Sequence, residues 1–178
     1  MIWESSYWKE DLLALSKKIS TKYRVTPFSE ELAVEFEKDI MIALYSVRKL
    51  EEARKLSSNT KSIQLKVKSY KNLKNVTLLN WHRIEELFDL DNPINEKIRA
   101  NHFYNQIIHS YIFLISTDES DSIDGFFFCS DRVRNKRLYY VELIEIERFV
   151  SFVGNDYPTK QSFDYDESLQ DYTVNTPT

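Results

Sequence analysis

The sequence predicts an α+β domain, with long helices packed against a small antiparallel sheet in the order α-α-β-α-α-β-β-α. Three observations carry that expectation. Apolar residues recur every three or four positions over two long stretches, strict alternation replaces that period at Lys61, and two short runs rich in aromatic and β-branched residues flank a polar link near residue 133. Because the helical stretches outrun the extended ones, a mainly α architecture is the alternative.

Trp8 to Ser20 reads as a short helix with Leu12, Leu13, Leu15 and Ile19 on one stripe, broken by Thr26-Pro27-Phe28. Ser29 is placed as an N-cap ahead of Glu30 and Glu31, whose charges suit the positive end of a helix. Leu32, Phe36, Ile40, Ala43, Leu44, Val47 and Leu50 then continue the helical period toward Ser57-Ser58-Asn59. Ile63, Leu65 and Val67 alternate with polar neighbours and predict a half-buried strand. Asn80 opens a short helix through Trp81, Ile84, Leu87 and Phe88, which Asp91-Asn92-Pro93 stops. A second long helix is expected from Pro93 at its first position to Ile115. Ile123 to Ser130 and Arg137 to Leu143 form a hairpin, and Glu145 to Val153 a last helix with Gly154 just past its end.

Composition narrows what such a domain can do. The chain has 178 residues, 42% of them hydrophobic, enough for one well-buried core. Residues 1–155 are expected to form that single domain, and 156–178 an acidic, aromatic tail, flexible or docked on a partner. Two glycines exclude a Gly-rich phosphate loop, and the single Cys129 excludes an internal disulfide or a multi-Cys metal site. No cofactor is implied, and the histidines lack metal-ligand spacing. The net charge of −4 does not favour wholesale binding to nucleic acid or to an anionic membrane. With no basic, apolar leader and no membrane-length apolar run, the expected location is cytoplasmic.

Polar groups crowd the second expected helix. His102 and His109 would lie about 20° apart around its axis, with Asn105 between them and Arg99 and Gln106 flanking. Set among Phe103, Ile107, Ile108 and Ile112, these groups need partners. They can be a structural network, tying the helix to backbone or to an acid such as Glu37 or Asp39. Alternatively they face a cleft, with His109 as general acid or base, Asn105 orienting and Arg99 meeting phosphate charge.

A helical Asn-x-x-x-His resembles the active motif of the HEPN ribonuclease superfamily, all-α proteins of toxin, antitoxin and antiviral systems. That motif has an Arg followed by Asn, Asp or His and then by His. Asn105 and His109 match, whereas Tyr104 stands in the Arg position and Arg99 is ten residues before His109. The resemblance implies a degenerate relative. A wider pattern, Trp3-Glu4-Ser5 with Tyr7-Trp8-Lys9, Ser46-Val47-Arg48-Lys49-Leu50, Trp81-His82-Arg83 and Asn105 to Ser110, resembles a family of small bacterial proteins and implies origin without mechanism.

Two basic stretches remain. Lys61, Lys66, Lys68, Lys71 and Lys74 have no acid among them, and Arg132, Arg134, Lys136 and Arg137 crowd the hairpin turn. Side by side they could form one positive surface with Tyr70, Tyr139 and Tyr140 for stacking. The plainer reading is a lysine-guarded sheet edge. In the tail, Phe163, Tyr165 and Tyr172 interleave with Asp164, Asp166, Glu167 and Asp171, a composition suited to docking on a basic, apolar groove in cis or in trans. The sequence therefore points to a small non-catalytic protein-binding or accessory component, of the kind found in bacterial toxin–immunity or antiviral systems. Lys66, Lys68, Arg132, Arg134, Arg137, Phe163 and Tyr165 are its expected contact residues, with a protein partner or self-association expected. A ribonuclease using His109 and Asn105, or a nucleic-acid-binding module on the basic strand and hairpin, are the alternatives.

Overall fold

The computed structural model describes residues 2–160 and 162–175. The α+β class is borne out: helices cover one face of a five-stranded antiparallel sheet, and a separate two-stranded sheet follows. The last residues of the expected tail, with residue 161, lie outside the described residues.

Helix α1 (Ser5–Lys18) starts at Glu4, whose carboxylate accepts from the Ser6 amide at 2.9 Å. It widens into a π-helical turn, Ile19–Tyr23, that buries both its end residues. Helix α2 (Glu30–Glu52) has the expected Ser29 cap, accepting from the Leu32 amide at 3.1 Å. It ends several residues before the expected Ser57-Ser58-Asn59, because Arg54 turns into the left-handed region at φ 58°. The Lys55 amide then bonds back to Leu50 O at 2.9 Å, closing a Schellman-type end.

Short α3 (Ser58–Ser62) leads to β1 (Gln64–Lys71), and α4 (Ile84–Leu87) follows in the next loop. The long helix expected over 93–115 is corrected by the structure. Its span is strand β2 (Ile94–Arg99), helix α5 (Ala100–Ile108) and strand β3 (Ser110–Thr117). Both strands are set by pairing: β2 pairs with the distant β1, and β3 forms a hairpin with β4 (Ile123–Ser130). A run such as Tyr111-Ile112-Phe113-Leu114-Ile115 fits either period, and pairing decides it. The expected hairpin is present as β4 with β5 (Arg137–Glu142), followed by α6 (Leu143–Gly154). Gly154 is the last residue of α6 and has no positive φ. It lets α6 approach α1: a Cβ there would sit 2.7 Å from the Leu13 side chain.

The sheet order is β2-β1-β5-β4-β3. On the helix side, Leu65, Val67, Phe126, Phe128 and Val141 pack on Leu12, Phe36, Leu44, Phe103, Phe149 and Val150. On the other side, Tyr70, Cys129, Leu138 and Tyr140 are covered by the 73–90 loop through Val76, Leu87 and Phe88. That loop is pinned by the Leu73 amide on Leu87 O (2.8 Å) and the Val76 amide on Asn135 Oδ1 (2.8 Å). Burial pushes the Cys129 thiol up to about 12, so it sits as a small core hydrophobe, as expected.

Lys9 knots the ends of the domain together. Only 1% exposed, its ammonium donates to Lys55 O (3.0 Å) and to Asp156 O, and lies 4.1 Å from the centre of the Tyr157 ring. Burial lowers its pKa, opposed by the charge of Asp156. The Asp156 carboxylate in turn accepts from the Ser57 amide at 2.7 Å and from the Thr60 hydroxyl. Asp156, placed at the start of the tail by composition, is thus bound into the body.

Candidate binding groove

Beyond Asp156 the chain forms a β-hairpin, β6 (Ser162–Asp166) and β7 (Asp171–Asn175). Its turn is capped by Asp166, whose carboxylate accepts from the Ser168 amide (2.9 Å), the Ser168 hydroxyl (2.6 Å) and the Leu169 amide (3.3 Å). Asp164 and Thr173 are cross-strand partners, and the Thr173 hydroxyl donates to Asp164 O at 3.0 Å. Tyr165 and Tyr172 face each other edge-on at 5.2 Å.

The hairpin lies against the end of α2 rather than on the basic strand. Arg54 is held there by its left-handed backbone, and its guanidinium donates to Tyr172 O at 2.6 Å. Between the hairpin and the body runs a groove of about 960 Å³. Its apolar lining is Trp3, Trp8 and Tyr45 from the body with Phe163, Tyr172 and Val174 from the hairpin. Trp3 is 98% exposed, Tyr45 47%, Phe163 60% and Tyr172 53%, so these rings leave much of their area to solvent. The charged lining is Lys49, Glu52, Arg54, Lys55 and Asp171. Glu52 is neutralised by Lys49 (2.7 Å) and Arg48 (2.8 Å), and those two cations hold its carboxyl below its ordinary value. What the groove offers is flat aromatic area with Arg54, Lys55 and Asp171 at its rim.

The other expected site residues lie elsewhere. Arg99 ends β2 and His109 caps the far end of the nine-residue α5, both exposed, so a rise of roughly 1.5 Å per residue holds them about 15 Å apart along the helix. Asn105 is half-buried, and its carbonyl accepts from the His109 amide at 3.2 Å. The polar ties of α5 run through other residues. Tyr104 donates to Glu51 at 3.0 Å, and Gln106 Oε1 accepts from the Ser130 amide at 3.0 Å. Asp39, one of the two acids expected to anchor this helix, is taken by Lys18 and Tyr23, each at 2.6 Å. His102 meets the Tyr139 hydroxyl at 3.3 Å, and burial lowers its pKa against the pull of Glu96.

The basic strand does lie beside the hairpin, with Lys68 opposite Tyr140 and Lys71 opposite Arg137. It is not a sheet edge, since β1 sits between β2 and β5, and the edge-guarding reading of its lysines is corrected. Alternation also splits the charges between the two faces. Arg137 packs near Tyr139 on the helix side and pairs with Glu96 (3.1 Å), whereas Lys68 lies over Tyr140 on the opposite face and pairs with Glu142 (3.6 Å). Arg134 stacks on Tyr111 (4.0 Å) and pairs with Asp131 (3.2 Å), while Lys66 and Arg132 are exposed.

Of the expected contact residues, Phe163 lines the groove and Tyr165 buttresses Tyr172 beside it. Trp3, Tyr45, Arg54 and Lys55 were missed by sequence reasoning. The available signal was the density of aromatics in Trp3, Tyr7 and Trp8, too near the chain start to show helical amphipathicity. Among the described residues, no three His, Cys, Asp or Glu come together to hold a metal, and no helix is long and apolar enough to cross a membrane. No family model, curated protein or solved structure matches this chain.

Proposed function

We propose that this chain is a non-catalytic protein-binding module that takes a segment of a partner protein into the groove between its C-terminal hairpin and the end of α2. The observation that carries the reading is the exposed aromatic and arginine surface gathered there, Trp3, Tyr45, Phe163 and Tyr172 around Arg54. Trp, Tyr and Arg are the residue types that dominate binding energy at protein interfaces. The rings take apolar side chains, and Lys55 at the rim donates to a carboxylate of the same segment. A groove of this size takes a short peptide stretch.

Two arrangements support binding over chemistry. Arg99 and His109 stand at opposite ends of α5, away from a shared reacting atom. Lys68, Arg134 and Arg137 each already meet a carboxylate, and strand alternation divides the basic residues between two faces rather than gathering them into one track for a phosphate backbone.

The test is co-purification of tagged full-length chain beside a chain ending at Lys160 and a Trp3→Ala/Tyr172→Ala variant. Ending at Lys160 rather than Asn155 keeps Asp156 on Ser57 and Thr60. A stoichiometric protein lost from both altered chains is the expected result. Equal capture by all three chains, or recovery of nucleic acid alone, overturns the reading.

A further inference from the structure

The two outer strands of the large sheet are guarded differently. β2 follows Pro93 and carries Glu96, Lys97 and Arg99, the usual devices that stop a foreign strand from pairing. β3 is Ser110-Tyr-Ile-Phe-Leu-Ile-Ser-Thr117, eight residues with no charge and no proline. Its inner side is paired with β4 continuously from Ile112 to Ser116, with register irregularities at each end, between Ser110 and Ile112 and between Ser116 and Thr117. No backbone hydrogen bond reaches its outer side from anywhere else in the described residues. Phe113, Leu114 and Ile115 are half-buried, each with apolar area left at the edge. An uncharged, aromatic and β-branched outer strand of this length is a template for one more strand.

The charges at its two ends say which strand. At the Ser110 end lies the β4–β5 turn, where Arg132, Arg134 and Lys136 stand against Asp131. At the Thr117 end lies the β3–β4 turn, with Asp118, Glu119 and Asp121. Asp118 accepts from Ser120 and Ser122, and those bonds hold its carboxyl below the ordinary range, so it is ionised near neutral pH. An antiparallel pair of β3 strands related by a two-fold axis at Leu114, where that residue faces its own copy, brings each basic turn beside the other copy's acidic turn. A parallel pair would set like charges together.

We infer that two copies of this chain associate edge to edge through β3, making a continuous ten-stranded antiparallel sheet with a basic–acidic contact at each end of the joint. The interface is isologous, and the lack of charge along β3 is what a strand must have to lie beside itself. This joint is distinct from the groove and does not depend on it.

Sedimentation equilibrium of the full chain tests the joint. At about 100 μM the wild type should weigh twice its 21.3 kDa, with the dimer weakening as salt rises through the range where the Debye length drops to a few Å. Leu114→Lys places two ammonium groups face to face at the two-fold and should leave a monomer, its folding checked by circular dichroism. Arg132→Glu and Glu119→Lys, both in exposed turns, should each raise the dissociation constant roughly tenfold. The double variant should recover most of that loss, because the contact is remade with its signs exchanged. A wild type that stays at 21.3 kDa overturns the inference, as does a dimer indifferent to both charge reversals. If Leu114→Lys fails to fold, the charge series alone decides.

Discussion

The five-stranded sheet and the C-terminal hairpin are built from the same materials and end in different circumstances. Both are antiparallel and rich in aromatic residues, which run together as Phe126-Phe127-Phe128 in β4 and alternate with polar ones in β6. In the large sheet each face has cover: Phe126 and Phe128 are fully buried under the helices, and Cys129 and Leu138 under the 73–90 loop. In the hairpin Phe163, Tyr165 and Tyr172 are all more than half exposed. A two-stranded ribbon is marginal by itself in water, so the hairpin draws its stability from the body, through Arg54, and from whatever fills the groove. Alternation makes a strand; cover on its faces makes it stable.

The sharpest way to break that contrast is to truncate one aromatic in each sheet. Phe126 stacks on Phe113 at 4.8 Å and meets Phe36 at 5.9 Å, so Phe126→Ala should cost about 3–5 kcal/mol and lower the melting temperature by roughly 10 °C or more. Tyr172→Ala should leave global stability within about 0.5 kcal/mol and show itself as faster proteolysis of the hairpin. Equal losses in the two variants would mean that the hairpin folds as part of the core.

The join between the regions comes next. Lys9→Met keeps the bulk of the side chain and leaves the carbonyls of Lys55 and Asp156 without their donor, an expected loss of about 2–4 kcal/mol by denaturant titration. A loss under about 1 kcal/mol would show that solvent replaces the ammonium. Arg54→Gly separates the two regions with opposite signs. Relief of the left-handed backbone should stabilise the body by about 1 kcal/mol, while loss of the bond to Tyr172 O exposes the hairpin to protease. Concerted changes would contradict the separation.

The smallest effect is in acid and belongs to the body alone. Lys18 and Lys22 hold the Glu35 carboxyl at about 2, from an ordinary value of 4.5. Because the folded pKa is depressed, the contribution is present above about pH 4.5 and is lost as pH falls toward 2. Glu35→Gln should flatten the stability curve in that window and leave hairpin proteolysis unchanged.

Much of the architecture was legible because it is local. Ser29 with Glu30 and Glu31 announces α2, and the Leu32-to-Leu50 period carries it. The polar link after Ser130 separates β4 from β5 as expected. The span 93–115 was not legible, since Ile94 and Ile98 satisfy a helical spacing as well as a strand's, and only pairing of Ile98 with Leu65 settles the choice. With that helix went the juxtaposition of Arg99, Asn105 and His109. The groove was half legible: Phe163 and Tyr165 stand out in an acidic tail, whereas Trp3, Tyr45 and Arg54 come from distant parts of the chain.

By itself the sequence determined the class of the fold, the cap and period of α2, the β4–β5 hairpin and the inert burial of its one cysteine, each a matter of neighbours within a few residues, whereas Asn80 caps no helix and α4 starts only at Ile84. Only the tertiary structure decided that β1 is an inner strand, that β3 is an uncharged edge, and that Arg54 meets Tyr172 across more than a hundred residues. The physical reason is range. Periodicity and capping act through one turn or one pleat, whereas an edge, a covered face or a groove exists only once remote segments have chosen their partners.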